Sequence, residues 1–492
     1  MLEATLAALP TIFSIQHMLH LMLGVTVGLA VGVLPGLGGI VGMALLLPFA
    51  YGLDAMLGLS MLIGVAAVTT TSDTFPAVLM GIPGSSGSQA TIMDGYPLAQ
   101  KGQAARALAA AFAASMIGGV IGAIALTLAI PIARPLVLAF GTPELLALTF
   151  LGLCMVGVLS GRRPLMGILV AALGLLIGTV GAAPTSPTYR FAFDQDYLFD
   201  GFQLVIISLG LFAIPEILDV LAKGGAIAKN APSRVGKGWL QGFRDIITHR
   251  WLVLRHSVIG VGVGIVPGLG SAIVDWLNYG YLVQTAKDKS QFGKGDIRGV
   301  IAPESANNAK EGGALIPTLL FGVPGSAGMA LLLGAMVVVG VEPGPRIIDT
   351  NLNIVVVLIW SLAIANIAGT IICLGFSRPI AALTRVPFPV LFPFIFLLVT
   401  LGAYQATRHI GDLVVLVGFG VLGWVMKKLG APRAPLLVGF ILSTLAERYL
   451  WLTTSRYGLD WLTRPGVIAI IAITIVLLAI SLRKKKSEEV HP

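Results

Sequence analysis

Two kinds of residue stand out in this sequence because they interrupt stretches that otherwise read as apolar helix. The first are Pro-Gly elements. Val33-Leu34-Pro35-Gly36-Leu37-Gly38-Gly39 returns as Ile265-Val266-Pro267-Gly268-Leu269-Gly270-Ser271, and Gly81-Ile82-Pro83-Gly84-Ser85-Ser86-Gly87 returns as Gly322-Val323-Pro324-Gly325-Ser326-Ala327-Gly328. Proline removes a backbone donor and glycine permits positive φ, so each element frees backbone polar groups from the helical ladder. At membrane depth such groups persist only against protein or a watery cavity. Helix N-termini formed there suit anions. Pro35, Gly36, Gly38, Pro83, Gly84, Ser85, Ser86, Pro267, Gly268, Gly270, Pro324, Gly325 and Ser326 are therefore the candidate substrate-binding residues, with backbone N–H groups and hydroxyls as donors to an anion. The tips contain no Arg or Lys, and Lys101 and Lys310 fall in flanking polar segments expected to face water.

The second kind are isolated acids, amides and hydroxyls. Thr71, Ser72 and Asp73 follow one apolar run, and Glu304, Asn307 and Asn308 occupy the corresponding region further on. A charge at the bilayer centre costs roughly 2.5–3.5 kcal/mol, so such residues default to a pathway role. Oxygen ligands suit Na⁺, and a carboxylate can carry H⁺, so these six are the candidate coupling-ion residues. The competing reading of residues 304–308 is a solvated loop, because Arg298 and Lys310 flank them.

These residues need helices to hold them. Of 492 residues, 56% are hydrophobic and only 11% charged. A soluble domain carries about a quarter charged residues, so the composition excludes that class. The apolar runs lead to an all-α polytopic membrane protein with about 11–12 transmembrane segments. The order of the paired elements divides the chain into a first membrane repeat (residues 1–222), a basic cytoplasmic connector (223–255), a second repeat with extra C-terminal helices (256–482) and a cytoplasmic tail (483–492). No Lys or Arg precedes Lys101, whereas the counterpart of the earliest loop holds Lys287, Lys289, Lys294 and Arg298. After the second element the bias swaps: Lys101 and Arg106 correspond to Glu342, Arg346 and Asp349. Because Lys and Arg collect in the cytoplasm, the repeats are expected to be inverted, with the N-terminus outside and the C-terminus inside. By the same walk Arg162-Arg163 falls inside and the acidic, aromatic loop 184–200 outside. Each Pro-Gly element then tips either a re-entrant hairpin or a broken helix, and Arg255 and Lys287, which flank the second copy with like charge, favour the hairpin.

Other chemistry is weak. Cys154 and Cys373 lie far apart in apolar runs and form no metal or disulfide framework. His17 and His20 lack a carboxylate partner for a metal. No G-x-x-x-x-G-K-[ST] loop occurs. Gly84-Ser85-Ser86-Gly87 has the form of an intramembrane serine protease motif with Ser86 as nucleophile, yet the second copy has Ala327 at that position. No cofactor is expected beyond the coupling ion. A passive channel is the remaining alternative.

With these motifs in view, the sequence resembles the large membrane subunit of the tripartite tricarboxylate transporters, the TctA family. The resemblance rests on residues 32–39, 81–85, Asp94-Gly95-Tyr96-Pro97, Lys101-Gly102-Gln103, 264–270, Phe292-Gly293-Lys294-Gly295, 299–309, 322–326 and 340–345. It departs at Thr70-Thr71-Ser72-Asp73, where the family often carries a Tyr-Gly-Gly-type run. The resemblance implies a secondary active transporter of di- and tricarboxylates in a bacterial inner membrane. It also implies a small four-helix membrane subunit (TctB-like) and a periplasmic solute-binding protein (TctC-like) as partners.

Overall fold

The computed structural model describes residues 2–34, 37–159, 164–223, 236–268, 271–383 and 388–488. Pro35, Gly36 and Gly270 lie outside the described residues, as do Arg162, Arg163 and residues 224–235 of the connector. The protein is predominantly helical; the paired strands Gly181–Ala182 and Tyr189–Arg190 sit in the loop expected to face outward. Among the described residues, five helices are long and apolar enough to cross a membrane: Ile15–Val33, Ala55–Met80, Ala104–Pro135, Leu352–Gly375 and Ala434–Tyr457. The larger number expected from sequence includes the shorter apolar helices, among them Gly38–Ala50, Ala327–Val338 and Phe392–Thr407.

A set of helices frames the candidate site. They are α1 (Ile15–Val33), α2 (Gly38–Ala50), α3 (Ala55–Ser72), α4 (Ala104–Leu138), α5 (Thr142–Leu159), α6 (Arg250–Gly264), α7 (Ser271–Thr285), α8 (Arg298–Phe321), α9 (Ala327–Val338), α10 (Leu352–Gly375) and α11 (Ala434–Tyr457). Close glycine contacts fix how they run. Gly24, Gly28 and Gly32 of α1 face Met61, Val65 and Thr69 of α3 in rising order, so these helices are parallel. A Cβ at Gly24 would stand 2.0 Å from the Met61 carbonyl oxygen, so only glycine lets the backbones meet. Gly39 and Gly42 of α2 face Thr69 and Val65 in falling order, so α2 runs against α3. Since α3 is parallel to α1, α1 and α2 form a hairpin about the Pro35 element.

The second half repeats this. Gly260 and Gly264 of α6 meet Ala306 and Lys310 of α8 in rising order. Ser271 and Tyr279 of α7 lie by Lys310 and Gly299 of α8 in falling order. The α6–α7 pair is again a hairpin, about Pro267. The second Pro-Gly elements also share their local geometry. Gly81 ends the helix that continues α3 with φ 66°, and Gly322 ends α8 with φ 67°. Each amide returns to a proline carbonyl, Pro76 and Pro317.

The halves interlock through exchanged packing. Gly118 and Gly122 of α4 pack on Ser305 and Ala309 of α8, while Gly369 of α10 packs on Val68 of α3. Thus the first long helix after the second Pro-Gly element of each half, α4 or α10, lies on the third helix of the other half. At the centre α3 and α8 cross antiparallel, with Thr71 beside Asn308 and Thr74 beside Glu304.

Candidate functional site

The α3–α8 crossing gathers most of the polar residues singled out in the sequence, and it buries them. Residues 304–308 lie within continuous helix α8, which excludes the solvated-loop reading. Lys310 also corrects an expectation: it is not in water but 2% exposed, its Nζ 2.5 Å from Glu311 and 2.8 Å from Ser271 Oγ. The physical reason is that α8 is enclosed by α4, α6 and α7, so even its polar turns face protein.

Glu304 is the most completely held group. Hydroxyls donate to it from Thr74 (3.0 Å), Thr91 (2.8 Å) and Ser115 (2.9 Å). Three donors suit a carboxylate that only accepts. Asp73 stands where α3 gives way to Thr74–Met80, and Ser85 Oγ donates to its Oδ2. Asn308 Nδ2 donates to Thr71 Oγ1 at 2.8 Å and to Asn366 Oδ1 at 2.7 Å. Asn307 Nδ2 donates to the Gly87 carbonyl at 3.0 Å. Ser72 does not join them: its hydroxyl turns to the Gly28 and Thr69 carbonyls on the α1 side.

Sequence reasoning does not single out Asp275 of α7, which is fully buried and accepts the Ala90 N–H at 2.5 Å. A signal for it exists, a lone acid in the apolar stretch Ile273-Val274-Asp275-Trp276-Leu277, but it lies within ordinary-looking helix beside the Pro-Gly element. Thr74, Ser115 and Asn366 escape notice for the same reason. The segment 85–91 is therefore gripped by acidic and amide groups from three helices: Asp73 at Ser85, Asn307 at Gly87, Asp275 at Ala90 and Glu304 at Thr91. Asp73 Oδ1, Asp275 Oδ1, Asn307 Oδ1 and Asn308 Oδ1 are buried without a protein partner, and all are oxygens. Unpaired buried acceptors are costly, so a cation or proton donor is the chemistry they suit.

The Pro-Gly amides are less free than their sequence implies. Gly84 N–H donates to Ser88 Oγ, Gly325 N–H to Thr318 Oγ1 and Gly268 N–H to the Gly325 carbonyl. Those amides are already satisfied, which corrects the view of them as open anion donors. Ser85 caps the 3₁₀ turn Ser86–Ser88, and Ser326 caps α9 by accepting the Met329 N–H. Ser86 is exposed and Gly38 opens α2 at φ 63°. Pro83, Pro267 and Pro324 sit at the turns between these capped segments. Asp94 works elsewhere. It accepts the Gly295 and Asp296 amides, each at 2.8 Å, and the Tyr279 hydroxyl at 2.9 Å, clamping helix Thr91–Gln100 to the loop before α8.

Apolar spanning helices, paired Pro-Gly breaks and a buried crossing rich in oxygen define a polytopic membrane protein. The chain belongs to the tripartite tricarboxylate transporter TctA family, whose pattern matches residues 18–438. It is thus a transporter subunit embedded in a membrane and not an enzyme, which removes the protease reading of Ser86. An uncharacterized 52.8 kDa protein of the TAR-I ttuC' 3' region of Agrobacterium vitis is 32% identical over 464 residues, 93% of this chain and 92% of its own. An uncharacterized protein of the TAR-II ttuC' 3' region of the same organism is 34% identical over 188 residues, 38% of this chain and 78% of its own. No solved structure matches the chain.

Proposed function

We propose that this chain is the permease of a secondary active system that imports di- and tricarboxylates with a Na⁺ or H⁺ gradient. A periplasmic binding protein feeds it, and a small four-helix membrane subunit completes it. The observation that carries the reading is the set of unpartnered buried oxygens at the α3–α8 crossing, which suits a coupling cation. Asp73, Asn307 and Asn308 from the two halves supply it, with Asp275 as an added carboxylate and Glu304 as the buttress of the loop. The substrate carboxylates meet segments 83–86 and 324–326 from opposite halves. The antiparallel crossing of α3 and α8, equivalent helices in the two halves, supports inverted repeats. So does the antiparallel pair α4 and α10, in which Phe112 meets Thr370 while Gly119 meets Asn366. With the charge bias, this supports an outer N-terminus and an inner C-terminus.

The test is uptake into proteoliposomes holding all three subunits, with radiolabelled citrate and tartrate as probes and imposed Na⁺ or proton gradients. Accumulation above equilibrium that collapses with one gradient is expected. Flux that does not saturate and ignores both gradients would instead establish a passive channel.

A further inference from the structure

At the end of the molecule expected to face outward, a cavity of about 100 Å³ opens between the start of α5, the turn after α9 and the second half of α11. A water needs roughly 10–15 Å³ by this measure, so the space holds several waters or a carboxylate-bearing fragment. Thr142, Glu342, Arg346, Arg448, Tyr449 and Leu452 line it.

The ion pairs at this end are lopsided. Arg134 pairs with Asp349 at 3.1 Å, Arg448 with Glu342 at 2.6 Å and Arg464 with Glu144 at 2.7 Å. Arg346 is exposed at the cavity and has no carboxylate partner among the described residues. A planar guanidinium recognises a carboxylate through two parallel N–H donors, and here it stands beside Tyr449.

Two connections place the cavity on a route. Above it, Arg190 of the acidic, aromatic loop makes a forked pair with Glu447 (3.0 and 2.9 Å), the residue next to Arg448. Below it, Gly344 N–H donates to the Leu319 carbonyl at 2.9 Å, close before the Gly322 element.

We infer that this cavity is the outer receiving site for a carboxylate group of the substrate, with Arg346 as the side chain that binds it. The inference rests on the transporter reading and on the outward placement of this end. Arg346 draws the anion out of water before it reaches the Pro-Gly elements, and the Glu342–Arg448 pair walls the site without adding net charge.

The experiment uses no transport. In the full-length protein carrying Cys154→Ser and Cys373→Ala, Thr142→Cys places a single thiol in the cavity. Outside-added methanethiosulfonate reagents bearing a sulfonate or a trimethylammonium group then report the local potential. With each rate taken relative to that of the same reagent with a free thiol in solution, the anionic reagent should be favoured about tenfold over the cationic one, a focusing effect of the usual size. Arg346→Gln should bring that ratio close to unity, Arg346→Lys should largely retain it, and citrate should slow the sulfonate reagent only where the charge remains. Leu452→Cys serves as a second reporter. A ratio unchanged by Arg346→Gln at both reporters, or thiols that react only with reagent added from the cytoplasmic side, overturns the inference. Intact charge selectivity together with absent gradient-driven uptake would instead sink the transport reading and leave the anion site standing.

Discussion

The two halves share a frame but not a chemistry. Each is a glycine-tight hairpin, a long helix ended by a left-handed glycine, and a Pro-Gly element capped by a serine. In the first half the segment after that element is held by Asp73, Asp275, Glu304 and Asn307. In the second, the Pro324-Gly325 element bonds to its own half, to Thr318 and Gly268. Packing and turn geometry constrain both frames alike. The polar fastenings, by contrast, concentrate on the first-half segment.

The largest effect should come from breaking the shared frame. A Cβ at Gly32 would stand 2.0 Å from Ser72 Oγ and 2.6 Å from the Thr69 carbonyl, and one at Gly264 would stand 2.4 Å from the Lys310 carbonyl. Gly32→Val and Gly264→Val should each cost about 1–3 kcal/mol or more by overpacking. Melting temperatures in detergent should fall for both. A large loss in one and none in the other would mean that the hairpins are not equivalent supports.

The difference in chemistry gives the next effect. Asp73→Asn should raise the cation concentration for half-maximal uptake about tenfold, equivalent to about 1.4 kcal/mol. Thr318→Val, on the quiet side, leaves the Gly325 N–H unpaired and should lose about 1 kcal/mol of stability with unchanged cation dependence. If Asp73→Asn alters only substrate affinity, the acidic side belongs to the substrate and not to the ion.

The smallest effect compares Ser85→Ala with Ser326→Ala. Each removes a cap worth about 1 kcal/mol, so a modest and similar loss of melting temperature is expected. Both should raise the transport KM several-fold, and only Ser85→Ala should also move the cation dependence, because only Ser85 donates to a carboxylate. Unchanged KM in both variants and in the double variant would remove the carboxylate cradle.

Much of the frame is legible in the sequence because its devices are local. Pro83 and Pro324, with Gly81 and Gly322, mark breaks whatever surrounds them, whereas the close seams at Gly24, Gly28, Gly260 and Gly264 emerge only from the packing. Asp73, Glu304, Asn307 and Asn308 are legible as polar groups in apolar surroundings. What stays hidden is partnership across long sequence separations. Nothing near Asp275 tells that the Ala90 amide will meet it. Nothing near Lys310 tells that α8 is enclosed, so its charge reads as a sign of water. The Gly268 amide looks open because the carbonyl that closes it is the distant Gly325, whereas Gly84 and Gly325 are closed locally, by Ser88 Oγ and Thr318 Oγ1, through turn geometry that the Pro-Gly spelling does not specify.

The grip on segment 85–91 has a mechanical meaning. Three of its bonds reach across to the second half: Ala90 to Asp275, Thr91 to Glu304 and Gly87 to Asn307. The Pro324-Gly325 element, by contrast, makes its hydrogen bonds within its own half. If one half slides past the other, these three bonds on the first-half segment are sheared. At about 0.5–1.5 kcal/mol net per bond, more where a carboxylate accepts, three such bonds form a detent of several kcal/mol. An ion that settled on Asp275 would compete with the Ala90 amide for the same carboxylate, so filling the site and loosening one fastening of the catch would be one event.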